Sequence, residues 1–162
     1  MGDAGWHHRP SSSAFGRSKR GLLKQALGRS RGGISTQIHL LSDAHGSPLD
    51  FLITPGQAHE SKSAQALLCG WKAKGVLGDR AYDGAPVRKA MAEMGAEAVI
   101  PPHPCRKQPS PYDSFLYQAR HAIENGFARL KQFRSLATRY DKSARNYAAQ
   151  VAIACIVLWL RL

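Results

Sequence analysis

Acid is short in this sequence: 11 aspartates and glutamates stand against 23 lysines and arginines in 162 residues, a formal net charge of +12 with the histidines neutral. Such an imbalance points to a polyanionic partner, and RNA, DNA and acidic lipid all satisfy it. Cysteine is scarce too. Cys69, Cys105 and Cys155 are odd in number and far apart, which encodes neither a disulfide framework nor a CxxC zinc site and fits a reducing cytosol. No GxxxxGK string occurs, so an ATP-driven enzyme is disfavoured. Long apolar runs are missing as well. Met1 to Ser13 is polar, unlike a secretion signal. The most apolar stretch, AAQVAIACIVLWL from Ala148 to Leu160, contains Gln150 and is shorter than the roughly 18 to 20 residues of a membrane span. It reads as a buried helix, and no membrane partner is expected. The length suits one domain with a real core and leaves no room for two of ordinary size.

What is present falls into two parts. Residues 1–31 are rich in Gly, Ser, Arg and Lys without sustained periodicity, the composition of a disordered basic leader. From residue 32 to 162 the pattern becomes that of a folded α/β domain. ISTQIHLLS and LDFLIT are short β-rich runs separated by the turn signal DAHGSP, so a hairpin is expected. ESKSAQALL has a capping-type start and suits a short helix. The apolar pair Val76 and Leu77 predicts a buried strand that stops at Asp79, a common way for a sheet to present a carboxylate at its C-terminal edge. GAPVRKAMAEMG is a helix with proline near its start and Gly95 as its stop, and EAVIPP is another strand ended by prolines. A basic, proline-rich loop leads into the last two helices. Trp71, Trp159 and the phenylalanines are assigned to the core rather than to base stacking.

The segment Leu116 to Phe133, LYQARHAIENGFARLKQF, holds one glutamate among three cations. Leu116, Ala119, Ile123, Phe127 and Leu130 recur at three- and four-residue steps, so the segment predicts one helix with an apolar stripe. At roughly 100° per residue, Tyr117, Arg120, Glu124 and Lys131 share an arc of about 60° beside that stripe. Arg120 and Glu124 taken alone are an ordinary surface pair at i,i+4. With Asp79 they form a second kind of pattern. Metal-assisted phosphodiester chemistry needs carboxylates, usually three, to hold divalent ions, with cations alongside for the phosphates. His121 sits about 60° round the helix from Glu124 and reads as structural. His59 reads as a hydrogen-bonding loop residue.

Four strings carry more than spacing. GRSRGGISTQIHLLSDAHGSPLDFLITPGQAHES, VLGDRAYD, AVIPP and RHAIENGFARLKQFRSLATRYDK closely resemble the DDE transposases of bacterial insertion sequences, in the group that includes the type-five elements. The likeness runs from about Gly21 to Leu162, and Tyr117, Arg120, Glu124 and Lys131 meet the spacing Y-x2-R-x3-E-x6-K in full. The resemblance implies an RNase H-like mixed sheet flanked by helices, carrying an Asp, Asp, Glu triad that binds two Mg2+ ions. It implies that Asp79 and Glu124 are catalytic metal ligands and that Tyr117, Arg120 and Lys131 position DNA. The implied partners are insertion-sequence ends and target DNA, in the nucleoid-bearing cytoplasm of a bacterium. Asp83, in the same motif as Asp79, is expected to be a supporting or helix-entry residue.

The resemblance breaks at its start. The first aspartate of the triad should end a central strand ahead of the hairpin, where this chain offers only Asp3, with no apolar strand before it. Permissible codons for Gly5 to Lys19, read one nucleotide later, translate to DGTIVRAHQHSAGA, which is similar to that first motif. The leader is therefore expected to be a family segment translated out of frame, and the domain to lack its central strand, leaving two inner sheet edges bare. An incomplete Mg2+ site, instability alone, and self-association or pairing with an upstream transposase segment follow. The expected function is transposition by cleavage and strand transfer at element ends, with this chain the downstream, inactive part. A non-catalytic DNA-binding or regulatory fragment is the alternative, and a decayed gene copy the duller origin.

Overall fold

A computed structural model of the chain describes residue 21 and residues 24–30 and 33–160. Most of the leader, Asp3 and the out-of-frame string lie outside the described residues. The described part is mixed α/β, as expected.

Three antiparallel strands come first: β1 (Gly28–Ser30), β2 (Gly33–Ser42) and β3 (Pro48–Pro55), in the order β1-β2-β3. The β2–β3 hairpin follows from the alternation in ISTQIHLLS, with Ile38 opposite Ile53 and Leu40 opposite Phe51. Its turn is built by Asp43, whose carboxylate accepts from the backbone N–H groups of His45 (2.9 Å) and Ser47 (2.8 Å), as short acidic side chains do in turns. Gly46 supplies the left-handed residue, φ 82°. β1 pairs with the start of β2, Gly28 opposite Ser35. It lies in the stretch assigned above to the disordered leader, a correction for residues 24–30. The reason is a clamp: Arg139, fully buried, donates to the carbonyls of Gln25 (2.9 Å) and Ala26 (3.3 Å) and to Thr36 Oγ1, and its guanidinium stacks on the Tyr147 ring at 4.7 Å.

The second half is a βαβ unit. β4 (Gly75–Leu77) pairs in parallel with β5 (Glu97–Val99), Val76 opposite Ala98. The crossover is a 3-10 turn (Arg80–Tyr82) and helix α2 (Ala85–Glu93), which has Pro86 in its first turn; Gly95, at φ 74°, lies just past its cap. Helix α1 (Glu60–Leu68) links the two halves. Its Ala64, Leu67 and Leu68 pack with Leu41 of β2, Val76 of β4, and Val87 and Met91 of α2. Among the described residues the two sheets are separate, with no strand joining them. A cavity of about 230 Å³ lies between them, lined by Leu41 and Ser42 of β2, Val76 and Leu77 of β4, Trp71 and Ile123.

The C-terminal part is helical: α3 (Ser114–Gln118), α4 (Arg120–Gln132), α5 (Arg134–Ala137) and α6 (Ala144–Leu160). Ile123, Phe127 and Leu130 of α4 pack with Leu136, Tyr147 and Val151 against Ile38 and Leu40 of β2. The single helix expected over Leu116 to Phe133 is therefore two. Asp113 caps α3, accepting from Phe115 N (2.8 Å) and Leu116 N (3.0 Å). The chain then tightens at Ala119, where the N–H of Ala119 reaches Leu116 O and that of Ala122 reaches Ala119 O, the i to i+3 pattern of a 3-10 turn. Leu116 is left 44% exposed, so the apolar stripe starts only at Ile123. The buried helix expected at the C-terminus also needs correction: α6 buries Tyr147, Val151, Ala154 and Cys155, while Ile153, Ile156, Trp159 and Leu160 are exposed. Trp71 and Phe115 are exposed as well, whereas Phe127 is buried. No described helix is long and apolar enough to cross a membrane.

Candidate active site

Strand β4 ends at Leu77, and after Gly78 the chain turns into the 3-10 segment with Asp79 as its cap. Asp79 has an extended backbone (φ −68°, ψ 163°), and its carbonyl accepts from Tyr82 N at 2.9 Å. Its carboxylate thus leaves the sheet at the C-terminal end of β4, the position that strand-end reasoning assigns to functional acids. Helix α4 brings Glu124 from the other side.

The two meet on one cation. Arg120 Nη1 pairs with Asp79 Oδ1, and its Nη2 lies 2.6 Å from Glu124 Oε1. The guanidinium also stands over the Tyr117 ring, 5.2 Å from its centroid, and the Tyr117 hydroxyl makes a long contact of 3.4 Å to Asp79 Oδ1. Tyr112 packs edge-on against Tyr117 with centroids 5.7 Å apart. Of the five residues singled out in the sequence, four therefore form one contiguous cluster: Asp79, Tyr117, Arg120 and Glu124. Lys131 lies in the last turn of α4, about 10 Å along the helix axis from Glu124 at 1.5 Å per residue. His121 Nδ1 is 3.8 Å from Glu124 Oε2, beside the cluster and largely exposed.

Charge explains the local protonation behaviour. Burial alone would lower the Arg120 guanidinium, but the hydrogen bond and charge of Asp79 outweigh it and raise the pKa. Burial raises the Tyr117 hydroxyl; Arg120 opposes that shift, and Asp79 adds to it. Arg120 therefore stays protonated between two carboxylates at every ordinary pH.

Sequence reasoning understated Asp83. Its side chain is 1% exposed and takes three donors: Arg88 Nε at 2.7 Å, Arg106 Nη1, and the backbone N–H of His103 at 2.7 Å. Burial alone would raise its pKa, yet these donors hold it below the usual carboxylate value. Arg88 also donates to Ile100 O at 2.9 Å. Asp83 thus ties the turn that carries Asp79 to the basic loop after β5. The available signal was its place one turn after Asp79, in a chain with few acids.

Asp79 and Glu124 are hard oxygen donors already sharing one positive group, as a common metal would require. Among the described residues, no group of three His, Cys, Asp or Glu side chains is placed to hold a metal. The set fits an open, two-carboxylate site rather than a closed cage.

Known proteins share this sequence pattern. The family model described as Transposase DDE domain matches residues 10–160. A Brucella ovis protein is 37% identical over 130 residues, 79% of this chain and 100% of its own length, and a Burkholderia cepacia protein is 26% identical over 161 residues, 91% of this chain and 72% of its own. Both bear the name "Putative transposase for insertion sequence element", IS6501 in the first and IS402 in the second. A Neisseria meningitidis transposase for insertion sequence element IS1106 is 31% identical over 109 residues, 63% of this chain and 38% of its own. No solved structure matches. A family model matched over residues 10–160 and a relative 37% identical over its whole length place the chain: this protein is a member of the DDE transposase family of insertion sequences.

Proposed function

We propose that this chain supplies two of the three metal-binding carboxylates, Asp79 and Glu124, to a Mg2+-dependent transposase acting on insertion-sequence ends and target DNA. The observation that carries it is the meeting of Asp79 and Glu124, from separate elements, on the Arg120 guanidinium. When bound, divalent ions would stabilise the attacking and leaving oxygens of a phosphodiester. Tyr117 and Arg120, in contact with Asp79, and Lys131, two turns along the same helix as Glu124, would orient the DNA backbone, a role suited to cations and hydroxyls that contact phosphate rather than bases.

The third carboxylate would end a strand lying between β2 and β4, completing an RNase H-like sheet. Support comes from the separation of the two sheets among the described residues and from the cavity between them. On this reading the chain alone holds metal loosely and does not cut. Losing one ligand of a two-metal site both weakens binding and misplaces the in-line geometry. The alternative, a DNA-binding fragment without catalysis, is favoured by the net charge of +12 together with the missing third ligand among the described residues.

The test is a cleavage assay on labelled element-end DNA with Mg2+ or Mn2+. No product is expected from the chain alone. Product is expected once the strand bearing the first aspartate is restored upstream, and Glu124→Gln then removes it. Cleavage by the unextended chain would contradict the incomplete site, and no cleavage by the restored protein would favour the binding fragment.

A further inference from the structure

We propose that Arg120 is a displaceable counter-cation: it neutralises Asp79 and Glu124 in the metal-free protein, and a divalent ion releases it to bind a DNA phosphate. This rests on the metal-site reading above and adds how that site is regulated.

The geometry is specific. One guanidinium spends one nitrogen on each carboxylate, Nη1 on Asp79 Oδ1 and Nη2 on Glu124 Oε1. Among the described residues it is the one positive group that these two carboxylates share. The cluster is also reachable, since the Asp79, Arg120 and Glu124 side chains are 22%, 29% and 49% exposed. A divalent ion taking those same carboxylate oxygens competes with the guanidinium for their lone pairs, and its charge repels a guanidinium left beside it. Release strands no buried cation, because Arg120 already reaches solvent.

The stem of Arg120 remains anchored. It begins α4, and Tyr117, whose ring lies under the guanidinium, belongs to α3 just across the tightened turn at Ala119. Once freed, the planar fork swings toward solvent on its anchored stem and offers its donors to an approaching phosphate, whose geometry it matches. Arg120 thus has two alternative anionic partners, carboxylate or phosphate, and the metal decides between them. Reciprocity follows: if metal promotes DNA binding through Arg120, DNA must promote metal binding by the same factor.

The experiment uses the full 162-residue chain, with Mn2+ as the probe. Free Mn2+ is read by electron paramagnetic resonance for wild type, Arg120→Gln, Arg120→Lys and Glu124→Gln, each checked for folding by circular dichroism. Removing two partly exposed ion pairs is expected to tighten Mn2+ binding by Arg120→Gln roughly fivefold. Arg120→Lys, a point charge that cannot bridge both acids, should fall between it and wild type, and it carries the test if the glutamine variant does not fold. Glu124→Gln should weaken binding. In parallel, duplex DNA affinity is measured against salt with and without Mn2+. The metal should steepen the wild-type slope by about 0.9 more than the Arg120→Gln slope, the value of one phosphate contact. Equal or weaker Mn2+ binding by both arginine variants overturns the displacement, as does an equal change of slope in wild type and Arg120→Gln. Wild-type Mn2+ binding that Glu124→Gln leaves unaltered overturns the metal-site reading itself, and with it this inference.

Discussion

Replacing Asp83 with asparagine tests whether the turn bearing Asp79 is held by charge. The substitution keeps shape and removes one negative charge. In the native protein Oδ1 accepts from Arg88 and Arg106, and Oδ2 from His103 N–H. An asparagine must place its NH2 against one of these donor sets. Facing His103 is the cheaper choice, because that N–H is exposed and water can take the lost carboxylate's place, and it loses one charge-assisted hydrogen bond, about 1.5 to 3 kcal/mol before water offsets it. The two arginine bonds survive as neutral-acceptor bonds, each weaker by about 1 kcal/mol than its charged counterpart. Water offsets part of that loss because Arg88 and Arg106 are 16% and 29% exposed. A net cost of about 2 to 3 kcal/mol results, or roughly 5 to 10 °C in Tm for a domain of this size. The pH dependence has a definite sign. A carboxyl whose folded pKa lies below its unfolded value stabilises above the unfolded value, and that stability is lost as pH falls through the folded one. Wild type should therefore lose more Tm than Asp83→Asn as pH drops below about 4. Thermal melts followed by circular dichroism at pH 7 and pH 3 read both effects. A variant melting within 1 or 2 °C of wild type at pH 7 would refute the claim that Asp83 anchors this turn.

His39, fully buried with Nε2 on Thr54 Oγ1 at 2.8 Å, has its pKa pushed down to about 4 by burial, with Glu60 pulling weakly the other way. The unfolded state then binds the extra proton between about pH 6.5 and 4, so stability should fall by about 2 kcal/mol from pH 7.5 to 5 in urea titrations, a loss absent from His39→Gln. Arg139→Met leaves the carbonyl of Gln25 without this donor and takes one of two donors from the carbonyl of Ala26, which keeps the Thr36 hydroxyl. It should cost about 2 to 4 kcal/mol and speed tryptic cleavage at Lys24; an unaltered cleavage rate would contradict the clamp. Gly46→Ala sets a Cβ 2.5 Å from the Ala122 carbonyl oxygen at φ 82°, so a loss of at least about 2 kcal/mol is expected in denaturant titration.

The strands and short helices were legible because each follows from local chemistry. Alternation gave the hairpin, the acidic start gave Glu60–Leu68, and proline and glycine bracketed Ala85–Glu93. The place of Asp79 at a strand end was legible from the apolar run before it, while its pairing with Glu124 was suggested only by the family resemblance. The unread features depend on partners distant in sequence. A 3.6-residue repeat cannot show that Ala119 tightens the chain, since that depends on the Asp113 cap upstream and on how Ile123 meets β2. Apolarity in AAQVAIACIVLWL could not say that one face of α6 stays outside. The Arg139 clamp joins residues more than 100 positions apart, and in sequence it is one more arginine in a basic chain.

Scarcity of acid explains why the site can be read with so few side chains. Of the acids that fold into the domain, Asp79, Asp83 and Glu124 are each matched to arginine: Asp79 and Glu124 to Arg120, Asp83 to Arg88 and Arg106. The matching differs in depth. Asp83 is sealed at 1% exposure and tied to a backbone N–H as well, so its arginines hold structure. Asp79 and Glu124 are partly exposed and share a single arginine, so breaking their pairing costs less than breaking that of Asp83. The frame around them is stiff by contrast. Gly46 and Gly126 let the hairpin turn ride directly on α4, for a Cβ at Gly126 would stand 3.0 Å from Gly46 O. Glu124 lies between the two points of α4 that touch this turn, Ala122 and Gly126, and Asp79 is fixed by the turn that Asp83 secures. A rigid frame carrying loosely neutralised carboxylates can exchange its cation without rearranging its backbone, as the open metal site proposed above would require.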